Sequence, residues 1–314
     1  MIHWKKKGLI FKFKSTFSNH SQYPVLLKFK NFIRIFFSNR DKLGRSLPLY
    51  VDVSNDLKKI LFINRKPILN LGKSGSFDQT GVMPSEIIKI GKLYYLFYVG
   101  WNSKVNTAPY LVNIGLAISK DGKVFKKHSK DPIFYNYKNL NKKNKKNFCG
   151  SCTVVKYKNY FYMFYMSGKG WHNVNGKKNP LYNIKIRKSK DCINWVNLKK
   201  TAVELKNNEG GLTPGSVIKI KKFFYMYYSY RGREKFRKNE KNTYRIGVAK
   251  SENLINWMRQ DSLMNLNVTK NSWDSNMLAY PKIIKLNKNY VMFYNGNDFG
   301  QSGIGIAKSK QILK

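Results

Sequence analysis

Apolar and polar positions alternate in short runs along this chain, and one such run recurs five times. Each copy opens on an apolar residue or proline, continues through β-branched or aliphatic residues with a lysine, makes a tight turn and enters an aromatic stretch. The copies are YPVLLKF…FIRIFFSNR (23–40), MPSEIIKI…KLYYLFYVG (83–100), SCTVVKY…YFYMFYMSG (151–168), TPGSVIKI…FFYMYYSYRG (213–232) and YPKIIKL…YVMFYNG (280–296). Period-two alternation with β-branched and aromatic enrichment predicts strands throughout, and no stretch keeps a helical period. A third strand follows each pair: PLYVDVSND (48–56), NIGLAISKDG (113–122), NIKIRKSKDCINW (183–195), YRIGVAKSENLINW (244–257) and GIGIAKSK (303–310). A shorter fourth strand follows in four copies, as in KKILFI (58–63), KKHSKDPIF (126–134) and AVELK (202–206). The fifth copy has none, and the N-terminal WKKKGLIFKF (4–13) resembles the missing piece.

A repeat of roughly 60 residues cannot bury its own apolar face, so neighbouring units must cover one another. The expected fold is all-β: a five-bladed β-propeller with four-stranded blades. Its ring is closed by the N-terminal strand 4–13, which completes the last blade and leaves no open edge. A chain of 314 residues suits a single domain of this kind spanning residues 1–314.

In such blades the first-to-second and third-to-fourth turns share one face. Here they are short and read as structural turns, among them SNDL, SKDG, SKDC and SENL. These third-to-fourth turns resemble the Ser-x-Asp box of sialidase-like propellers, a fold element whose aromatic residue (Phe125, Trp195, Trp257) packs inside.

The opposite face receives the second-to-third loops and the links entering each innermost strand. Innermost strands converge on the axis, so polar residues at their entrances are expected to meet in one central cup, and loops on a rigid scaffold are the usual seat of binding and catalysis. Three acids fall at such entrances: Asp78, Glu209 and Asp274. Glycosyl chemistry commonly needs two carboxylates flanking the scissile bond. The plain structural alternative is that these acids cap turns or pair with lysines.

The second-to-third loops add Arg40, Asp41, Trp101, Asn102, Trp171, His172, Tyr230, Arg231, Asn295, Asn297 and Asp298, and an inner-strand entrance adds Tyr280. Sugars stack on aromatic faces, and their hydroxyls bond Asn, Asp and Arg. Trp101 and Trp171 could equally cap strand ends, and His172 could be a solvated loop residue.

Charge changes this picture. Lysine and arginine number 60 against 16 acidic residues, a formal net charge of +44. Two readings stand: lysine drift spread through every blade, or an anionic partner. Basic stretches at 136–147 and 231–242 lie on the loop face, with Arg40 and Arg231 as the candidate oxyanion partners. Specific nucleic-acid binding is not expected, since no aromatic-basic recognition motif is present.

The apolar run near the start is too short for a signal peptide, and FKNFIRIFF is far below spanning length, so a cytoplasmic protein without a membrane span is expected. Cys149 and Cys152 form a CxxC, but it lacks the βαβ context of a redox motif and the second pair of a zinc site. No cofactor and no metal are expected.

The stretches FDQTGVMPSEIIKIGKLYYLFYVGWN, YRIGVAKSENLINW and WDSNMLAYPKIIKLNKNYVMFYNGNDFGQSGIGIAKS resemble the five-bladed propellers related to glycoside hydrolase families 32, 43 and 130. The resemblance is strongest to a branch found among bacterial surface-polysaccharide genes, and it runs from about residue 20 to the end of the sequence. It implies a carbohydrate ligand and glycosidic chemistry by central carboxylates, which puts Asp78 and Asp274 in acid/base roles. The sequence departs from that pattern in three places. Asn276 stands where relatives often carry Glu, Thr213-Pro214 replaces an Arg-Pro, and NFCGSC (147–152) carries no carboxylate. Asn exchanges no proton, so a non-catalytic carbohydrate-binding propeller is the second expectation.

Overall fold

The computed structural model describes residues 3–104, 108–134, 148–237 and 240–310. The basic stretch 136–147 lies outside them, as do two residues of 231–242. More than half of the described residues are strand, and almost none are helical. Strand β1 (Lys5–Phe11) stands apart in sequence from its partners. The next are β2 (Gln22–Lys28), β3 (Phe32–Arg40), β4 (Ser46–Ser54) and β5 (Ile60–Asn64), then β6 (Gly81–Ile90), β7 (Leu93–Asn102), β8 (Leu111–Ser119) and β9 (Lys126–Lys127). They are followed by β10 (Cys149–Tyr157), β11 (Tyr160–Val174), β12 (Lys177–Ser189) and β13 (Val196–Val203), then β14 (Glu209–Ile220), β15 (Phe223–Gly232), β16 (Arg245–Ser251) and β17 (Met258–Arg259). The last are β18 (Ala279–Leu286), β19 (Asn289–Asn295) and β20 (Ile304–Lys310). A 3₁₀ turn at Asp261–Leu263 and a short helical turn at Asn297–Gly300 are the helical pieces among the described residues.

Antiparallel pairing runs in sequence order, β2 through β5, β6 through β9, β10 through β13 and β14 through β17. The remaining sheet runs β18-β19-β20-β1, so the N-terminal strand pairs with the C-terminal one. Single parallel pairs, Ser46 with Gly81 and Tyr182 with Gly211, link neighbouring sets. The first strands touch in a cycle: β2 with β6, β6 with β10, β10 with β14, β14 with β18, and β18 with β2. Among the described residues no helix is long and apolar enough to cross a membrane.

Each first strand carries a register shift at the same place, at 22/25, 84/86, 150/152, 214/216 and 279/282. In four of them a proline (Pro24, Pro84, Pro214, Pro281) sits at the shift, where its missing N–H would break a regular ladder. Tyr23 and Tyr280, each before one of these prolines, take positive φ angles of 60° and 57°. The bulges turn side chains toward the common centre.

The Ser-x-Asp turns are structural, as expected. Asp121 Oδ1 accepts the Lys123 and Val124 amides, Asp191 Oδ1 those of Ile193 and Asn194, and Asn253 Oδ1 those of Ile255 and Asn256. The turn aromatics then pack edge-on against the second strand of the preceding set: Phe125 on Phe36, Trp195 on Phe97 and Trp257 on Phe164. One short motif therefore both closes a hairpin and glues two sheets.

Three local expectations change. The fourth strand of the second set is Lys126–Lys127 and not 126–134. The fourth strand of the third set is Val196–Val203 and not 202–206, because it starts directly after the Asp191 turn and pairs Lys188 with Val196. The segment 167–180 is not an open loop. It continues β11 and β12 as a regular hairpin that turns at Asn175-Gly176, both with positive φ, the chemistry a two-residue turn selects.

Candidate functional site

The starts of the first strands, the ends of the second and the starts of the third surround a cavity of about 320 Å³. Gln22, Met83, Ser151, Thr213 and Tyr280 enter from five different first strands. Arg40, Trp101 and Met166 come from second strands, while Tyr182 and Ser46 come from third strands. Side chains from all five first strands therefore meet in one cavity, although the entrance acids are not among them.

The wall is aromatic. Trp101 and Tyr110 lie 5.1 Å apart, Tyr110 and Trp171 5.2 Å, and Trp171 and Phe148 5.3 Å between ring centroids. On the other side Tyr244 packs on Tyr280 at 5.7 Å and on Phe299 at 5.9 Å. Tyr23 lies behind Tyr280, 4.8 Å away and fully buried, and its hydroxyl donates to the Pro214 carbonyl across the axis at 3.0 Å. Farther along the same strands Lys282 Nζ and Thr153 Oγ1 both donate to Glu86 Oε2, at 2.9 and 2.7 Å, tying three first strands together.

The phenols of the cup are held neutral. Burial pushes Tyr110 up to about 12 and raises Tyr280 and Tyr244 above the ordinary range as well. They are hydrogen-bond donors at neutral pH. The Tyr182 and Tyr244 hydroxyls lie 2.7 Å apart, and Arg231 Nε donates to the Tyr182 oxygen at 3.1 Å.

The predicted residues divide into those that line the cup and those that build it. Arg40, Trp101 and Tyr280 line it. Arg231 does not, because it is fully buried and its remaining N–H groups donate to the Gly232 and Pro180 carbonyls at 2.8 and 2.6 Å. Burial works against its charge, yet the Tyr182 and Tyr244 oxygens raise its pKa overall. It is a strut for the tyrosine wall.

Asn295 accepts the Tyr23 amide and donates to the Ser21 and Gly303 carbonyls, joining β19 to the start of β2. Asn297 accepts the Asn276 and Met277 amides, Asn102 accepts from Gln79 and donates to the Ser76 carbonyl, and Asp41 accepts the Leu43 and Arg45 amides. His172 sits on the exposed hairpin, 3.1 Å from Glu234. Trp171 packs behind Tyr110, Tyr230 packs into the neighbouring core cluster, and Asp298 stands at positive φ in the short helical turn.

Asp78, Asp274 and Glu209 do not line the cavity, and each meets a base from the outermost strand of its own sheet. Lys127 of β9 lies 2.6 Å from Asp78, Lys6 of β1 lies 2.6 Å from Asp274, and Arg259 of β17 bonds both oxygens of Glu209 at 2.7 and 2.8 Å. Second-strand tyrosines complete the clasps: Tyr98 donates to Asp78 and Tyr294 to Asp274. Both aspartates are almost completely buried. No carboxylate appears among the described residues that line the cup, and among the described residues no group of three His, Cys, Asp or Glu could hold a metal.

Sequence reasoning missed Tyr110, Tyr182, Tyr244, Phe148, Phe236, Phe299 and Arg237, all of which line the cup. Repeat position was a usable signal for two of them. In sequence, Tyr182 directly precedes the expected third strand 183–195 and Tyr244 opens the expected third strand 244–257.

The fold is similar to that of solved propeller glycoside hydrolases and phosphorylases. The β-1,2-mannobiose phosphorylase from Listeria innocua superposes with a TM-score of 0.68 over 98% of this chain and 96% of its own, at 12% identity. The Bombyx mori GH32 β-fructofuranosidase BmSUC1 matches with a TM-score of 0.61 over 98% of this chain and 61% of its own, at 16% identity. The structure of a BT0996 complex with RGII matches at 0.70 over 99% of this chain and 94% of its own, at 18% identity. In sequence the protein is similar to Uncharacterized protein MT1551 of Mycobacterium tuberculosis, 29% identical over 321 aligned positions that cover 97% of this chain and 98% of the relative. No family model matches the sequence.

Proposed function

We propose that this protein is a carbohydrate-binding propeller, a single five-bladed ring closed by β1, whose central cup takes a saccharide. The observation that carries this reading is the cup itself. A 320 Å³ cavity with aromatic walls, neutral phenol donors and an arginine at its edge suits stacking on a sugar face with hydrogen bonds to its hydroxyls. The cyclic contacts of the first strands and the pairing of β1 with β20 support five closed blades. Neighbours of the same fold are glycoside hydrolases and phosphorylases, and one of them was solved as an RGII complex.

Glycosidic cleavage by Asp78 and Asp274, with Glu209 assisting, is the second reading. Their equivalent positions at strand entrances favour it, together with the Asp274 Oδ1 atom, which is buried without a hydrogen-bond partner. Against it, each acid is engaged by a cation, and among the described residues no carboxylate pair faces the cavity. General acid and base must both reach the glycosidic oxygen and the anomeric carbon.

A panel of oligosaccharides separates the readings. Saturable binding without product, lost on Tyr280→Ala and kept in Asp78→Asn, is the expected outcome. Turnover that disappears in Asp78→Asn would instead establish the enzyme.

A further inference from the structure

Arg40 and Arg237 line the same cup, one from the end of β3 and the other from the segment after β15. Each is close enough to the other for its charge to be felt. Burial and the Arg237 charge together lower the Arg40 pKa, even though the Tyr280 oxygen acts in the opposite sense. Arg40 is half-buried and Arg237 exposed at the edge of the same cup, and two guanidinium groups placed there repel each other unless an anion lies between them. The described residues supply none. Among the described residues no ion pair includes Arg40 or Arg237, and the adjacent Asp41 is engaged by Arg45 at 2.8 Å.

Lysine drift does not account for this pair. Arginine makes up only 10 of the 60 basic residues, so an arginine position is more selective than a lysine position in this sequence. Other arginines have definite internal work: Arg34 holds both oxygens of Asp52 at 2.7 Å, and Arg259 holds Glu209. Arg231 and Arg245 bond backbone carbonyls. Arg237 has the Phe236 ring at 4.5 Å and a contact with the Tyr110 hydroxyl, both of which orient a guanidinium without neutralising it. The described edge of the cup thus offers planar N–H forks and phenol O–H groups, a donor set complementary to a carboxylate or phosphate.

We propose that the saccharide taken by the cup carries an oxyanion, a carboxylate or a phosphate, seated between Arg40 and Arg237. This rests on the saccharide reading above and narrows it to acidic sugars.

The test uses the full-length protein and matched pairs of neutral, uronic-acid and phosphorylated saccharides on an array. Dissociation constants for the best pairs follow, at roughly 50 and 200 mM salt, with inorganic phosphate as a further probe. The acidic member of a pair is expected to bind at least about tenfold tighter at low salt, with the advantage shrinking at high salt. Arg40→Gln and Arg237→Gln should each cost the acidic member far more than the neutral one and so remove that advantage. Arg40→Lys should restore part of it, since charge returns without the fork. Unchanged thermal melting of the variants guards against a folding artefact.

Equal affinity for both members, insensitive to either substitution, overturns the oxyanion inference and leaves the saccharide reading standing. Binding of inorganic phosphate with no binding of any sugar overturns both. The uronic and phosphorylated arms tell the two anion sources apart.

Discussion

Glu209 shows most plainly what the entrance acids do in this protein. Its two oxygens meet the two terminal nitrogens of Arg259, and both side chains are largely shielded from water. Removing one partner strands the other charge, so Glu209→Gln is expected to cost about 3 kcal/mol, read from the urea midpoint. Asp78→Asn should cost less, about 1–2 kcal/mol, because Lys127 keeps access to water and can rehydrate. Double substitution with Lys127→Met should recover part of that loss. A fully additive pair would mean that the contact carries no coupling.

His20 gives a pH signature at the same scale. Burial, helped by the Arg40 charge, pulls it down to about 4 from its ordinary 6.5. Well above 6.5 both folded and unfolded states are neutral at this residue. As pH falls from 6.5 toward 4 the unfolded state takes up a proton that the folded state refuses, so stability drops through that window. His20→Asn is expected to flatten the slope of denaturation midpoint against pH between 4 and 6.5, and an unchanged slope would remove His20 as a cause.

The CxxC lacks the sequence context of a redox motif or a zinc site, and the structure adds burial of both thiols. Burial pushes Cys149 up to about 12 and raises Cys152 further, so neither should be alkylated near neutral pH in the native protein, while both react in urea.

At the scale of elements, repeat and turn chemistry carried almost everything. The Ser-x-Asp turns were legible because their bonds are local, between residues two or three apart. Their packing role was legible too, since the aromatic residue recurs at fixed offset. Trp257→Ala should cost about 3–4 kcal/mol by emptying the contact with Phe164, and Asp191→Ala about 1 kcal/mol by freeing two turn amides. Thermal or urea unfolding of the two variants checks the order. The hairpin at 167–180 was not seen, although its Asn-Gly turn was in view. Its lone Trp and His drew attention to loop function, where strand pairing claimed the backbone.

For the whole molecule, the pairing of β1 with β20 ties together two strands separated by nearly the full length of the sequence. Lys6 adds the ion pair to Asp274, and Trp4 packs edge-on against Tyr227. Deleting residues 1–13 exposes the edge of β20 and the buried Asp274 together, so the truncated protein should lose cooperative unfolding and aggregate. A sharp two-state urea transition in that variant would show that the strand is dispensable.

The order of strands, the turn motifs and the face on which the cup opens were all determined by the sequence alone. They depend on periodicity and on bonds between near neighbours, which repetition displays five times over. Tertiary structure alone decided which polar side chains look into the cup. An entrance aspartate can turn toward the axis or toward the lysine of its own outer strand. That choice is set by partners up to 268 residues away. The same long-range arrangement put Arg231 behind the wall and left Arg40 and Arg237 at its edge.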